Sequence, residues 1–220
     1  MQSVNYLYAA NGQKLRKQTR IDHQLAATYD YAGRFIYSDL NGDDTELSYL
    51  MANQGRIILH EDGSSGYEYS IKDHLGNTRI TFDEKGKILQ EDTYYPFGMN
   101  ISGLSYNQNT IQNKYKYNGK ELQDGFGLDW YDYHARFYDP SIGRFTTVDP
   151  MAESYYGLTG YNYVANNPIR LIDPDGMMMA EIYWLGGNSK YRPIEGDYVK
   201  SNGKVIGNDG INDDKVHLVT

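Results

Sequence analysis

The chain has 220 residues, a formal net charge of −8 and no cysteine. Its length allows one domain, or one domain with a tail, and the lack of cysteine excludes disulfides, thiol nucleophiles and zinc–thiolate sites. The acidity argues against nucleic acid as a partner, because phosphate needs a clustered basic face, and no run approaches the ~18 apolar residues of a membrane span.

Tyr and Gly each occur 23 times, against 6 Phe and 2 Trp. The bulk available for burial is therefore mostly rings with a polar tip, which suit half-buried sheet faces. No charged segment and apolar stretch of a signal peptide follow Met1. Either the chain is cytoplasmic or its true start lies upstream.

In chain order, a repeat comes first. Gly12, Gly33, Gly55 and Gly76 are spaced by 21, 22 and 21 residues. Tyr6-Leu7-Tyr8, Tyr29-Asp30-Tyr31 and Tyr67-Glu68-Tyr69 precede three of them. Alternating aromatic and polar residues that turn at a glycine predict consecutive antiparallel β-hairpins, with Gly12, Gly33 and Gly76 at or beside turns. Asn11-Gly12, Asn41-Gly42, Asn118-Gly119 and Asn202-Gly203 fit positive-φ turns, and Asp83 to Leu89 and Ser201 to Ile206 read as further hairpin tips. No segment before residue 150 has a convincing 3.6 period, so the fold class is mainly β with little helix. Three zones follow: repeats at 1–113, ending in a polar loop from Gly103 to Asn113; an aromatic, proline-containing region at 114–177; and a changed pattern at 178–220, whose acidic Asp209, Asp213 and Asp214 read as a solvated linker.

Most common catalytic signatures are absent, including the phosphate-cradling loop, the zinc-binding HExxH and the GxSxG elbow. The five His, at 23, 60, 74, 134 and 217, are scattered and read as surface or hairpin side chains rather than metal ligands. Asp39 to Asp44 reads as a solvated turn, since its glycine is misplaced for a calcium loop. No cofactor and no metal are expected.

Residues 114–177 carry more information. They contain Tyr115-Lys116-Tyr117-Asn118-Gly119-Lys120-Glu121-Leu122, Ala135-Arg136-Phe137-Tyr138-Asp139-Pro140, Gly143-Arg144-Phe145, Asp149-Pro150, Asn166-Asn167-Pro168 and Asp173-Pro174-Asp175-Gly176-Met177. This order closely resembles the RHS repeat-associated core domain. Upstream, Asp73-His74-Leu75-Gly76-Asn77 and Tyr94-Tyr95-Pro96-Phe97-Gly98 resemble the segment that precedes that core, and the Tyr-x-Tyr units resemble YD repeats. The resemblance implies hairpins that form part of an RHS-type β-shell strip, a compact loop-rich core domain that closes the shell, and a variable, often toxic, C-terminal segment as cargo. It implies partnership with upstream RHS repeats in a longer, secreted or cell-surface protein.

In family members that cleave themselves the core acts as an aspartyl peptidase. Position by position, its residues fall on Arg136, Asp149 and Asp173, and the scissile bond on Met177-Met178. Two nearby carboxylates suit this chemistry, one protonated as acid and the other activating water. The residues alone also allow a structural reading: Asp-Pro pairs start turns, and an Arg among aromatics stacks on rings. A non-enzymatic scaffold or adhesive surface is the alternative function. Two positions depart from the family pattern: Met177 stands where Leu is usual, and His134 where Gly is usual. Five or so hairpins are too few to enclose a cargo, so a fragment of a longer protein is expected.

Overall fold

The structure, a computed structural model, describes residues 1–185, 188–193, 197–200, 205–207 and 216–219, apart from 11, 41–44, 61, 109, 110 and 156, with side chains through 181. Ten strands form one sheet in strict sequence order: β1 Gln2–Tyr8, β2 Lys14–Ile21, β3 Gln24–Ala32, β4 Phe35–Asp39, β5 Glu46–Ala52, β6 Gly55–Leu59, β7 Ser65–Lys72, β8 Thr78–Asp83, β9 Ile88–Glu91 and β10 Tyr106–Asn107. Every neighbouring pair is antiparallel. Gly12, Gly33 and Gly76 take φ of 79°, 64° and 80° at hairpin ends. Gly55 is different. It opens β6 opposite Tyr69, where a Cβ would lie 1.8 Å from the Glu68 carbonyl oxygen. It follows the Asn53–Gln54 turn that joins β5 to β6, and close strand approach explains why a glycine stands there.

The polar stretch 103–113 is not wholly a loop, because β10 pairs with β9 there. Asn118 and Gly119 both take positive φ, at 49° and 66°, as the Asn-Gly turn requires. Among the described residues the only helical segments are short 3-10 turns. The proposed turns at Asn41-Gly42 and Asn202-Gly203, most of the Asp39 to Asp44 stretch, and Asp209, Asp213 and Asp214 lie outside the described residues.

A second sheet holds β11 Glu121–Gln123, β12 Trp130–Asp132, β13 Phe137–Asp139 and β14 Arg144–Phe145. A third begins with β15 Leu171–Ile172, which pairs with β16 Ala180–Leu185, and β16 pairs with β17 Asn188–Pro193. Farther on, β18 Asp197–Lys200 pairs antiparallel with β19 Val205–Gly207 and parallel with β20 Val216–Val219. No helix among the described residues is long and apolar enough to cross a membrane.

The main core is aromatic: Tyr117, Tyr131, Tyr133, Tyr138, Phe145 and Tyr163 are almost fully buried in one cluster. Buried tyrosine hydroxyls need partners, and the turn chemistry supplies them. Asn118 Oδ1 accepts from Tyr133 at 2.8 Å and Tyr163 at 2.5 Å, while the Asn118 backbone N–H donates to Asn77 Oδ1 at 2.7 Å. Tyr138 donates to the Phe97 carbonyl and Tyr117 to that of Pro96. The two quoted upstream motifs thus pack directly on the core.

One face of the strip meets the second sheet through charge. Lys14 Nζ lies 2.5 Å from Glu121 and 2.7 Å from Asp132, all nearly buried. Burial alone would depress the Lys14 pKa, but the two carboxylates lift it above its ordinary value. Tyr31 donates to Glu121, and the Tyr6 hydroxyl to Gln123. Farther along, Arg56 pairs with Glu68 and donates to the Ile111 and Gln112 carbonyls, pinning the connecting segment to the strip.

Candidate functional site

Two turns build the site. In the first, Asp132 Oδ1 accepts the His134 N–H at 2.8 Å and the Tyr133 N–H donates to the Arg136 carbonyl at 3.0 Å. His134 takes φ of 70° there, which accounts for a glycine being usual at this position. In the second, Asp173 Oδ1 accepts the Gly176 N–H at 2.7 Å and those of Asp175 and Met177 at 3.2 Å. The turns touch where the Ala135 N–H donates to the Asp175 carbonyl at 3.1 Å. A Cβ on Gly176 would sit 2.9 Å from the Tyr133 carbonyl oxygen and 3.1 Å from the Arg136 nitrogen, at φ of 80°. Only glycine lets the turns approach this closely.

Arg136 fills the space between them, buried against the Phe145 ring at 3.6 Å. Its Nε donates to the Gly176 carbonyl at 2.6 Å and Nη1 to that of Gly160 at 3.2 Å. Nη2 donates to both carboxylates, Asp149 Oδ2 at 2.9 Å and Asp173 Oδ2 at 3.3 Å. Burial lowers the Arg136 pKa, and the two acids oppose the shift. Asp149 is oriented by its second oxygen, which accepts the Met151 N–H at 2.8 Å.

Asp173 is the perturbed acid. Burial pushes its carboxyl up to about 6, against the opposing pull of the Gly176 N–H and Arg136. Because Oδ1 already faces three N–H donors, a proton on this residue belongs on Oδ2. Beside the three charged groups lies a cavity of about 10 Å³, lined also by Tyr155, Gly160 and Met179. That volume suits about one water.

Arg136, Asp149 and Asp173 therefore come together. Met177 joins them through its backbone N–H on Asp173, whereas Met178 is tied to Asp175, whose Oδ1 accepts the N–H groups of Met177 at 3.0 Å and Met178 at 3.3 Å. Met177 also lines a larger cavity of about 860 Å³ on the strip side, with Lys14, Tyr31, Lys120, His134 and Asp175. Sequence reasoning left out Asp175, Lys120 and Tyr155. Lys120 Nζ donates to the Pro174 carbonyl at 2.5 Å, and the Tyr155 hydroxyl accepts the Met179 N–H at 3.3 Å. The one available signal was Asp175 itself, since an Asp two residues before an amide often accepts from it.

A strip of sequential antiparallel hairpins folded over a compact aromatic core is the architecture of RHS-type β-shells, and known proteins agree. The crystal structure of TcdB2-TccC3-Cdc42 superposes with a TM-score of 0.65 at 25% identity, over 78% of this chain and 9% of that one. Toxin subunit YenC1 of Yersinia entomophaga is 31% identical over 193 residues, 80% of this chain and 19% of the subunit. The tRNA nuclease WapA of Bacillus subtilis is 26% identical over 199 residues, 88% of this chain and 8% of the nuclease. No family model matches. These relatives are RHS-repeat proteins associated with toxins, and the chain spans about a fifth or less of their length.

Proposed function

We propose that the chain is part of an RHS shell and its cap. Residues 1–113 supply YD-repeat strip, 114–177 the RHS repeat-associated core, and 178–220 the start of a variable C-terminal segment. The core cuts its own chain once, between Met177 and Met178, to free that segment. Its partners are the upstream repeats of a longer, secreted or cell-surface protein and its own C-terminal segment as cargo; nucleic acid is not a partner of these residues.

The observation that carries this reading is Arg136 Nη2 shared by two carboxylates, one with its pKa raised, beside a cavity with room for a water. Asp149 takes the shorter bond from Arg136 and acts as base, removing a proton from water as its oxygen attacks the Met177 carbonyl carbon. Asp173, protonated on Oδ2, supplies the proton that the departing Met178 nitrogen needs. The C–N bond breaks, leaving a carboxylate on Met177 and an amine on Met178. Because substrate and catalyst share one chain, effective molarity is high and one turnover suffices.

The test is intact-mass spectrometry on a chain long enough to include the upstream repeats. The parent separates into two species at Met177-Met178, while Asp149→Asn and Asp173→Asn stay whole with unchanged circular dichroism. A parent that stays whole at neutral and mildly acidic pH, or Asn variants that cut like it, removes the peptidase reading. The scaffold alternative then stands, supported by the same Arg136, whose bonds to Gly160 and Gly176 also hold the turns in place.

A further inference from the structure

We infer that Asp175 sets the register of the cut, a reading that rests on the proposed self-cleavage. Met177, Met178 and Met179 are identical side chains in a row, so side-chain identity cannot tell one of their bonds from the next. Something in the backbone must choose. Asp175 Oδ1 accepts the N–H groups on both sides of the Met177 residue, including the nitrogen that would leave. Asp173 adds a second acceptor to the Met177 N–H only, so the Met178 nitrogen depends on Asp175.

The turn that carries Asp175 is itself held. Its carbonyl accepts from Ala135, in the turn of Arg136, and the preceding Pro174 carbonyl accepts from Lys120. Exposure changes in step: Met178 is 39% exposed whereas Met179 is 9% exposed, so the chain leaves the surface immediately after the held amide. Fixing that amide plane presents one carbonyl, that of Met177, and withholds the next. The role needs an acceptor oxygen and no titrating proton, which makes Asp175 a positioning residue and separates it from Asp149 and Asp173.

That distinction gives the test. In the repeat-bearing protein, Asp175→Asn keeps the acceptor and cuts at the single parental bond within about threefold of the parental rate, whereas Asp173→Asn stays whole. Asp175→Ala cuts about 10 to 100 times more slowly, as expected for a misplaced reacting bond, and its products have ends that differ by one methionine. In the uncut Asp173→Asn background, amide exchange at Met177 and Met178 is slow and becomes fast at Met178 when Ala replaces Asp175. If the parent cuts but Asp175→Ala cuts the same single bond at the same rate, the register role is wrong and the self-cleavage reading survives. A folded Asp175→Asn that loses cleavage also overturns the acceptor role. A parent that never cuts removes both readings.

Discussion

In the ten-stranded strip, each strand's ladder pairs only with the strand before and the strand after it in sequence. In the core, the decisive partners are far apart: Arg136 reaches an acid 13 residues away and another 37 away, and Asn118 collects hydroxyls from 15 and 45 residues downstream. The strip is a sum of similar local ladders, so losing one contact is shared among neighbours. The core is a set of single, non-repeated contacts in a dry interior, where each loss leaves a polar group unmatched.

The sharpest break of this contrast comes where the two regions meet. Lys14→Ala strands Glu121 and Asp132 without their cation in a buried place, and the expected loss is about 3 to 5 kcal/mol, read from denaturant unfolding. A loss under 1 kcal/mol would mean that strip and core are held by ring packing and the tyrosine hydrogen bonds rather than by this cation. Gly176→Ala comes next. Positive φ together with the clash on the Tyr133 carbonyl predicts about 2 to 3 kcal/mol and loss of cleavage.

Asp173 predicts a pH effect with a definite sign. Its folded value of about 6 lies above that of an ordinary carboxylate, so between roughly pH 4 and pH 6 the folded chain holds a proton that the unfolded chain has lost. Stability from this group is full below that window and declines as pH rises through about 6, by about 3 kcal/mol in all. The stability difference between parent and Asp173→Asn, followed across that range, isolates the term; a flat difference would deny the burial cost. The smallest change belongs to the strip. Gly12→Ala meets no atom within 4 Å, and only its positive φ costs about 1 kcal/mol.

The same contrast explains what the sequence revealed. Turns at Gly12, Gly33 and Gly76 were readable because periodic alternation and glycine act locally. Gly55 was readable as a repeat member but its cause was not, since contact with the Glu68 backbone exists only between paired strands. In the core, no period brings Arg136, Asp149 and Asp173 together; only the motif order picked them out. The Lys14, Glu121 and Asp132 cluster was hidden because charged residues on alternating strands ordinarily face water. The hold of Asp175 on Met178 was hidden because an Asp before Gly reads first as a turn former, and which amides it holds follows only from the folded turn.

The central claim is that Arg136, Asp149 and Asp173 hydrolyse the bond after Met177, and the single-turnover rate of chain separation against pH tests it most directly. The account predicts a rate that falls about tenfold per pH unit above pH 6, as Asp173 loses its proton, with no separation in Asp149→Asn at any pH. A rate that climbs from pH 6 to 8, or cleavage that persists in Asp149→Asn, would contradict it.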